Sequence, residues 1–229
     1  MKKFLVLIMV VLMVFAMVAC KSEPEKESVY PVEKEAGKDA LMEQGSSAKA
    51  IDHTGFKINV SANTGESTVA FEIGGKDDIY WLSLVGDVSV LVRNFAGATY
   101  MFFPMEAPAN SFWLKIADKS LKEEIFDETV DAILYSIYNN EDYLTKQGTE
   151  TKSGRACTKY TVSVQEFGYN YTVWVDNEFG FTVALEASAG SESLSYSMTP
   201  KLSNLVEGDL PANYAKAKAC NLYTDTPVL

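Results

Sequence analysis

The chain has 229 residues, 47% of them hydrophobic, with 12 Tyr, 12 Phe and a formal net charge of −11. That length and apolar content suffice for one domain with a sizeable core, and the aromatic share favours strands. The charge has the wrong sign for a phosphate backbone and no basic stripe interleaved with aromatics occurs, so nucleic acid is excluded as a partner.

The first twenty residues, MKKFLVLIMVVLMVFAMVAC, set two lysines before an unbroken apolar stretch from Phe4 to Ala19 and end on Cys20. This is the layout of an export signal; the alternative, a membrane-spanning anchor, asks for about 20 apolar residues, and this stretch is shorter. Met17-Val18-Ala19-Cys20 resembles the lipobox of bacterial lipoproteins, with Met where Leu is usual. The resemblance implies a signal peptide over 1–19 and diacylglycerol on the sulfur of Cys20. Loss of Lys2 and Lys3 then takes the formal charge from −11 to −13. Two or more acyl chains on one residue give stable anchoring, so the mature chain is expected on the extracytoplasmic side of the cell membrane, held there by its N-terminal lipid. Lys21 is compatible with outer-membrane delivery in a diderm host.

Residues 20–50 read as the lipidated cysteine and a disordered tether. Glu and Lys dominate, Pro24 and Pro31 interrupt any helix, and few apolar residues offset the entropy of ordering. A short helix around Lys38–Gln44 fits the sequence without changing that reading.

From Ile51 the pattern changes to period two. Phe56, Ile58 and Val60 alternate with Lys57, Asn59 and Ser61, and Val69, Phe71 and Ile73 repeat the arrangement. Ile79–Val85 and Val88–Arg93 follow through Gly86-Asp87, and Ala98–Phe103 ends at Pro104, which cannot continue a sheet interior. Apolar residues fall on both faces of Ile79–Leu84, which leaves open whether Tyr80 or Trp81 points inward. Ser120 and Glu123 then form a capping-box pattern, and Leu121, Ile125, Phe126, Val130, Ile133, Leu134 and Ile137 recur at helical spacing. Strands resume with Tyr160, Val162 and Val164. Around the next turn the alternation puts Tyr171, Val173 and Val175 on one side with Phe181, Val183 and Leu185, and Leu194, Tyr196 and Met198 alternate with serines.

Strands, one amphipathic helix, more strands and a late Leu210-Pro211-Ala212-Asn213-Tyr214 together resemble the LolA-like family of bacterial lipoprotein carriers and acyl-binding lipoproteins. The closest local match is Val173-Trp174-Val175-Asp176-x-x-x-Gly180-Phe181, with Tyr100–Pro104 agreeing. The resemblance spans Ile51 to Tyr214 and implies one LolA-like α+β domain over 51–229, a curved, unclosed antiparallel half-barrel wrapped around the helix. It also implies an apolar cavity for acyl chains, lined by Phe71, Ile73, Trp81, Tyr100, Phe102, Ile133, Ile137, Tyr171, Val173 and Leu185. The alternative for each of these residues is ordinary core.

The remaining chemistry is sparse. Cys157 and Cys220 form an even pair in an exported chain, which favours a disulfide, the alternative being two buried thiols. His53, the single histidine, has no ligand-spaced partner and reads as a surface residue. There is no serine elbow, phosphate-binding glycine loop or calcium loop, and Asp77-Asp78, Glu123-Glu124 and Asp176 with Glu178 read as solvated charge. The expectation is therefore no catalytic residue, no metal and no cofactor. Two functions stand: a tethered module that binds a lipid or acyl chain, and a cell-envelope sensor or interaction module with a protein partner.

Overall fold

A computed structural model describes residues 33–63, 67–84, 89–139, 144–164, 169–189 and 192–217. The expected signal peptide, the expected lipidation site Cys20, Gly86-Asp87 and Cys220 lie outside these residues. Eleven strands are present: β1 (Gly55–Asn63), β2 (Thr68–Lys76), β3 (Ile79–Leu84), β4 (Ser89–Phe95), β5 (Ala98–Phe103), β6 (Phe112–Ala117), β7 (Leu144–Lys152), β8 (Arg155–Val164), β9 (Tyr169–Asp176), β10 (Thr182–Ala189) and β11 (Glu192–Lys201). Their order in the sheet is β6-β5-β4-β3-β2-β1-β11-β10-β9-β8-β7, so the sheet is unclosed and ends on β6 and β7. Neighbours from β2 to β6 and from β7 to β11 pair antiparallel, each hairpin following directly from sequence order.

The described residues divide into two compact units. One gathers those within 33–50, residue 63 and those within 131–197; the other gathers those within 51–62, 67–130 and 198–217. We call them the first and second unit.

In the first unit, helix α1 (Glu33–Ser47) includes and extends the short helix that the sequence admits around Lys38–Gln44. Order begins well before residue 50 because Leu41, 0% exposed, packs into a core with Ile137, Leu144, Tyr160, Val173 and Val175. Gln44 fixes the helix by donating to the carbonyls of Val175 (3.2 Å) and Asp176 (2.9 Å) while its own carbonyl accepts from the Tyr160 hydroxyl (2.7 Å). A charged stretch with one anchoring leucine thus finds enough buried contact to offset its ordering.

Gly45 is required by a close approach: a Cβ there would lie 2.5 Å from Cε1 of Tyr138, whose hydroxyl donates to the Gly180 carbonyl at 2.8 Å. Gly45→Ala should therefore lower stability by about 1–3 kcal/mol through overpacking, outweighing the roughly 1 kcal/mol that alanine gains in helix propensity. Urea denaturation followed by circular dichroism measures the change.

A register shift between Thr182 and Ala184 corrects one expected face. Thr182 pairs with Val175 and Leu185 with Val173. Phe181 instead lies with the Arg155 guanidinium 5.8 Å from its ring centroid. The extra residue of a bulge breaks the alternation that had put Phe181 beside Tyr171, Val173 and Val175. A second bulge falls in β7 between Lys146 and Gly148, where Gly148 adopts φ 139°.

In the second unit the register assigns two faces. Trp81 pairs with Gly74 and with Leu91, Arg93 with Tyr100, and Phe102 with Trp113. Ile79, Trp81, Leu91, Ala98, Tyr100, Phe102 and Trp113 form a core with Leu210, against which Leu205 and Tyr214 pack. The C-terminal segment thus covers this face. Lys57 donates to the Asp209 carbonyl (2.9 Å), and Lys201 pairs with the Asp209 carboxylate (2.6 Å). On the opposite face the Tyr80 ring meets Phe126 at 4.7 Å, and Phe126 meets Phe56 at 6.0 Å. At its start β3 is covered on both faces, so that Tyr80 and Trp81 are both buried, in opposite directions.

The expected long helix is shorter and less regular. Lys122–Asp127 is a π-helical turn, α2 spans Glu128–Leu134, and a 3₁₀ turn covers Ser136–Asn139. The Ser120–Glu123 capping box is replaced by a single long contact from the Lys122 amide to the Ser120 hydroxyl at 3.4 Å. The start is instead fixed by Thr99, whose hydroxyl accepts from the Leu121 amide (2.9 Å) and donates to the Lys119 carbonyl (2.8 Å).

Candidate binding face of the second unit

The second face of β3–β6 is graded from polar to apolar. Strand by strand it carries Tyr80, Leu82 and Leu84; Asn94, Val92 and Val90; Thr99, Met101 and Phe103; and Leu114 and Phe112. The end with Tyr80, Asn94 and Thr99 is polar, and beyond it every side chain is apolar. Four strands at about 4.8 Å spacing make this surface roughly 14 Å wide.

The apolar part is not sealed. Leu82, Leu84, Met101, Phe103, Phe112 and Leu114 are half-buried, and Val90 is 41% exposed. Phe103 and Phe112 stack nearly parallel at 5.5 Å, fixing one margin. The β4–β5 hairpin that aligns these strands turns through Ala96 and Gly97, both at positive φ (49° and 77°), the conformation that suits the twist of a tight hairpin. Pro104 ends β5.

The polar end is built around Asp127. Its carboxylate takes His53 Nδ1 at 2.7 Å and Lys122 Nζ at 2.6 Å. His53 is therefore half-buried, within hydrogen-bond distance of Asp127 and beside Phe56, where the sequence suggested a surface residue. The Tyr80 hydroxyl is buried and has no hydrogen-bond partner. Burial pushes its pKa up to about 12, the nearby Thr99 hydroxyl opposing the rise and the Asp127 charge adding to it.

The residues named from the sequence as cavity lining separate in the structure. Trp81, Tyr100 and Phe102 are buried under Leu205, Leu210 and Tyr214, while Phe71 and Ile73 lie on the opposite face of the same sheet. In the first unit Ile137 and Val173 are core, with Leu185 packed against them, and Ile133 and Tyr171 are half-buried. Sequence reasoning missed Leu82, Leu84, Val90, Met101, Phe103, Phe112 and Leu114. The signal lay in YWLSL and TYMFF, strands apolar on both sides, of which alternation selects only one.

The first unit holds a polar crevice of about 420 Å³ lined by Ser47, Lys49, Arg155, Ala156, Asp176, Asn177 and Glu178. Its charges are mutually paired: Arg155 with Asp176, and Lys49 with Glu178 at 2.9 Å. Asp176 holds the turn, accepting from the amides of Glu178 (2.9 Å) and Phe179 (2.7 Å) while Gly180 takes φ 69°. The Asp-x-x-x-Gly spacing thus has a structural cause. Cys157 is buried, its thiol donating to the Arg155 carbonyl at 3.4 Å, and burial pushes its pKa up to about 11. Among the described residues no group of three or more His, Cys, Asp or Glu is placed to hold a metal ion, and no helix is long and apolar enough to cross a membrane.

No known protein family matches the chain, and no curated protein matches it. Among solved structures it is similar to MucB, at 14% identity and a TM-score of 0.43, over 78% of this chain and 63% of that one. It is also similar to LprF from Mycobacterium bovis (10% identity, TM-score 0.35, 72% of this chain and 91% of that one). A LolA superfamily protein from Nitrosomonas europaea is a further similar structure (9% identity, TM-score 0.25, 78% and 99%). The chain spans less than two thirds of the length of the MucB structures. The LolA-like family named from the sequence motifs is thus present again among the solved structures similar to this chain.

Proposed function

We propose that the mature chain is a lipid-anchored protein of the cell envelope that binds a lipid or acyl chain, and that its role is binding rather than catalysis. The observation that supports this is the face of β3–β6: seven apolar side chains, contiguous across four strands and still in contact with solvent. Contiguous apolar surface of this kind marks ligand or partner contact. The backbones of β3, β4 and β5 are paired on both sides, so over these strands the face offers hydrocarbon contact rather than a peptide ladder. Each methylene buried there contributes about 0.8 kcal/mol, so a single chain suffices for useful affinity. The export signal and lipobox expected from the sequence support a location of this face outside the cytoplasmic membrane.

Native mass spectrometry of the envelope-purified protein, followed by organic extraction, tests this reading. Bound acyl material at a fixed stoichiometry is expected. A clean apo mass and no uptake of a fluorescent fatty-acyl probe would favour the sensor or interaction module. Phe103→Gln should weaken the probe about tenfold or more, the loss of one buried apolar side chain, while circular dichroism shows the fold retained.

A further inference from the structure

The polar end of this face contains a donor with nothing to bind. The Tyr80 side chain is 3% exposed, and its hydroxyl makes no hydrogen bond. Thr99 is its nearest polar neighbour and opposes the rise in its pKa, but no contact of hydrogen-bond geometry joins the two hydroxyls, and that of Thr99 is engaged by the Leu121 amide, the Lys119 carbonyl and Asn94. A buried, unpartnered hydroxyl is a desolvation cost that a fold rarely retains without a use. Phe126 covers Tyr80, and Phe126 sits on the π-helical turn Lys122–Asp127, a backbone form concentrated at functional positions. Thr99, Met101 and Phe103 follow one another on this face of β5, leading from the hydroxyl to the apolar surface.

We propose that the Tyr80 hydroxyl is the polar anchor of the binding face, donating a hydrogen bond to the carbonyl oxygen of a neutral acyl ester whose chain lies over Met101 and Phe103. The assignment rests on the lipid-binding reading above and adds the chemical class of the ligand. The surroundings favour a neutral head: Lys122 and His53 are both committed to Asp127, so a carboxylate buried beside Tyr80 would lose its hydration without gaining a counter-ion from this cluster. An ester carbonyl brings an acceptor without that desolvation cost. Phe126 must turn aside for the ligand to enter, and the loosely wound turn that carries it is the segment that moves.

The test compares monopalmitoylglycerol, palmitate and hexadecane on the full chain and on Tyr80→Phe, by titration calorimetry at neutral pH. Wild type should bind monopalmitoylglycerol tightest. Tyr80→Phe should weaken it about three- to tenfold, leave hexadecane unchanged and melt at the same or a higher temperature, because it removes an unsatisfied donor. A purely structural hydroxyl would not lose ester affinity while keeping or gaining stability. Equal ester affinity in both proteins overturns the anchor, and tighter binding of palmitate overturns the neutral head. Absence of binding by all three probes removes the lipid-binding reading itself. An independent measurement uses ester labelled with carbon-13 at the carbonyl. Its infrared band should shift to lower frequency on wild type and not on Tyr80→Phe, and an unshifted band on wild type overturns the proposal.

Discussion

Asp176→Ala should destabilise the first unit by about 3–5 kcal/mol, the scale of breaking a buried ion pair on one side. The carboxylate is 2% exposed and pairs with Arg155 through both Nε and Nη2. Alanine leaves that guanidinium with only Glu178, whose contact is long at 3.4 Å. It also removes the acceptor for the amides of Glu178 and Phe179, which close the β9–β10 turn. Asp176→Asn separates the two contributions. The amide oxygen still accepts from those amides but carries no charge for Arg155, so about half the loss is expected. Denaturant titration of the three proteins measures it, and equal losses for Ala and Asn would show that the turn contacts contribute nothing.

Trp81→Ala should cost about 3–5 kcal/mol in the second unit, and Trp81→Phe markedly less. The indole is 1% exposed and lies flat over Gly74, where a Cβ would approach within 2.2 Å of its ring. Its Nε1–H donates to Glu72 Oε1 at 2.7 Å, and the other Glu72 oxygen pairs with Lys57 Nζ at 2.7 Å. Phenylalanine keeps most of the packing but leaves Glu72 short of one donor, so its cost of about 1–2 kcal/mol is mainly a hydrogen-bond effect. Equilibrium unfolding read by circular dichroism, which does not depend on the deleted fluorophore, compares the two variants. Equal costs would mean that Glu72 gains nothing from the indole.

Much of the strand order was legible because one-sided strands impose a period of two. Phe56, Ile58 and Val60 are buried as their spacing predicts. Alternation failed where its premise failed. At its start β3 is covered on both sides, so Tyr80 and Trp81 are both core, and a bulge moves Phe181 off the face its count assigns. Helix α1 was legible only as a short helix around Lys38–Gln44, because a single leucine and the Gln44 contacts hold it and neither stands out in a charged stretch. The π turn has no sequence signature of its own, since its apolar spacing is that of an ordinary helix. The binding face was half visible: Tyr100 and Phe102 drew attention, while their neighbours Met101 and Phe103 occupy the side left in contact with solvent.

The two ends of the sheet have a bearing on how the protein behaves at high concentration. β6 carries Lys115 beside the shift that separates Thr99–Ala117 from Tyr100–Lys115, and β7 carries Lys146 beside the kink at Gly148. A lysine next to a bulge bends the outermost ladder and charges it, so neither margin presents a straight template to a second molecule. Even at high local concentration such a protein would resist growing into cross-β fibres, although β5 and β6 are rich in aromatic residues.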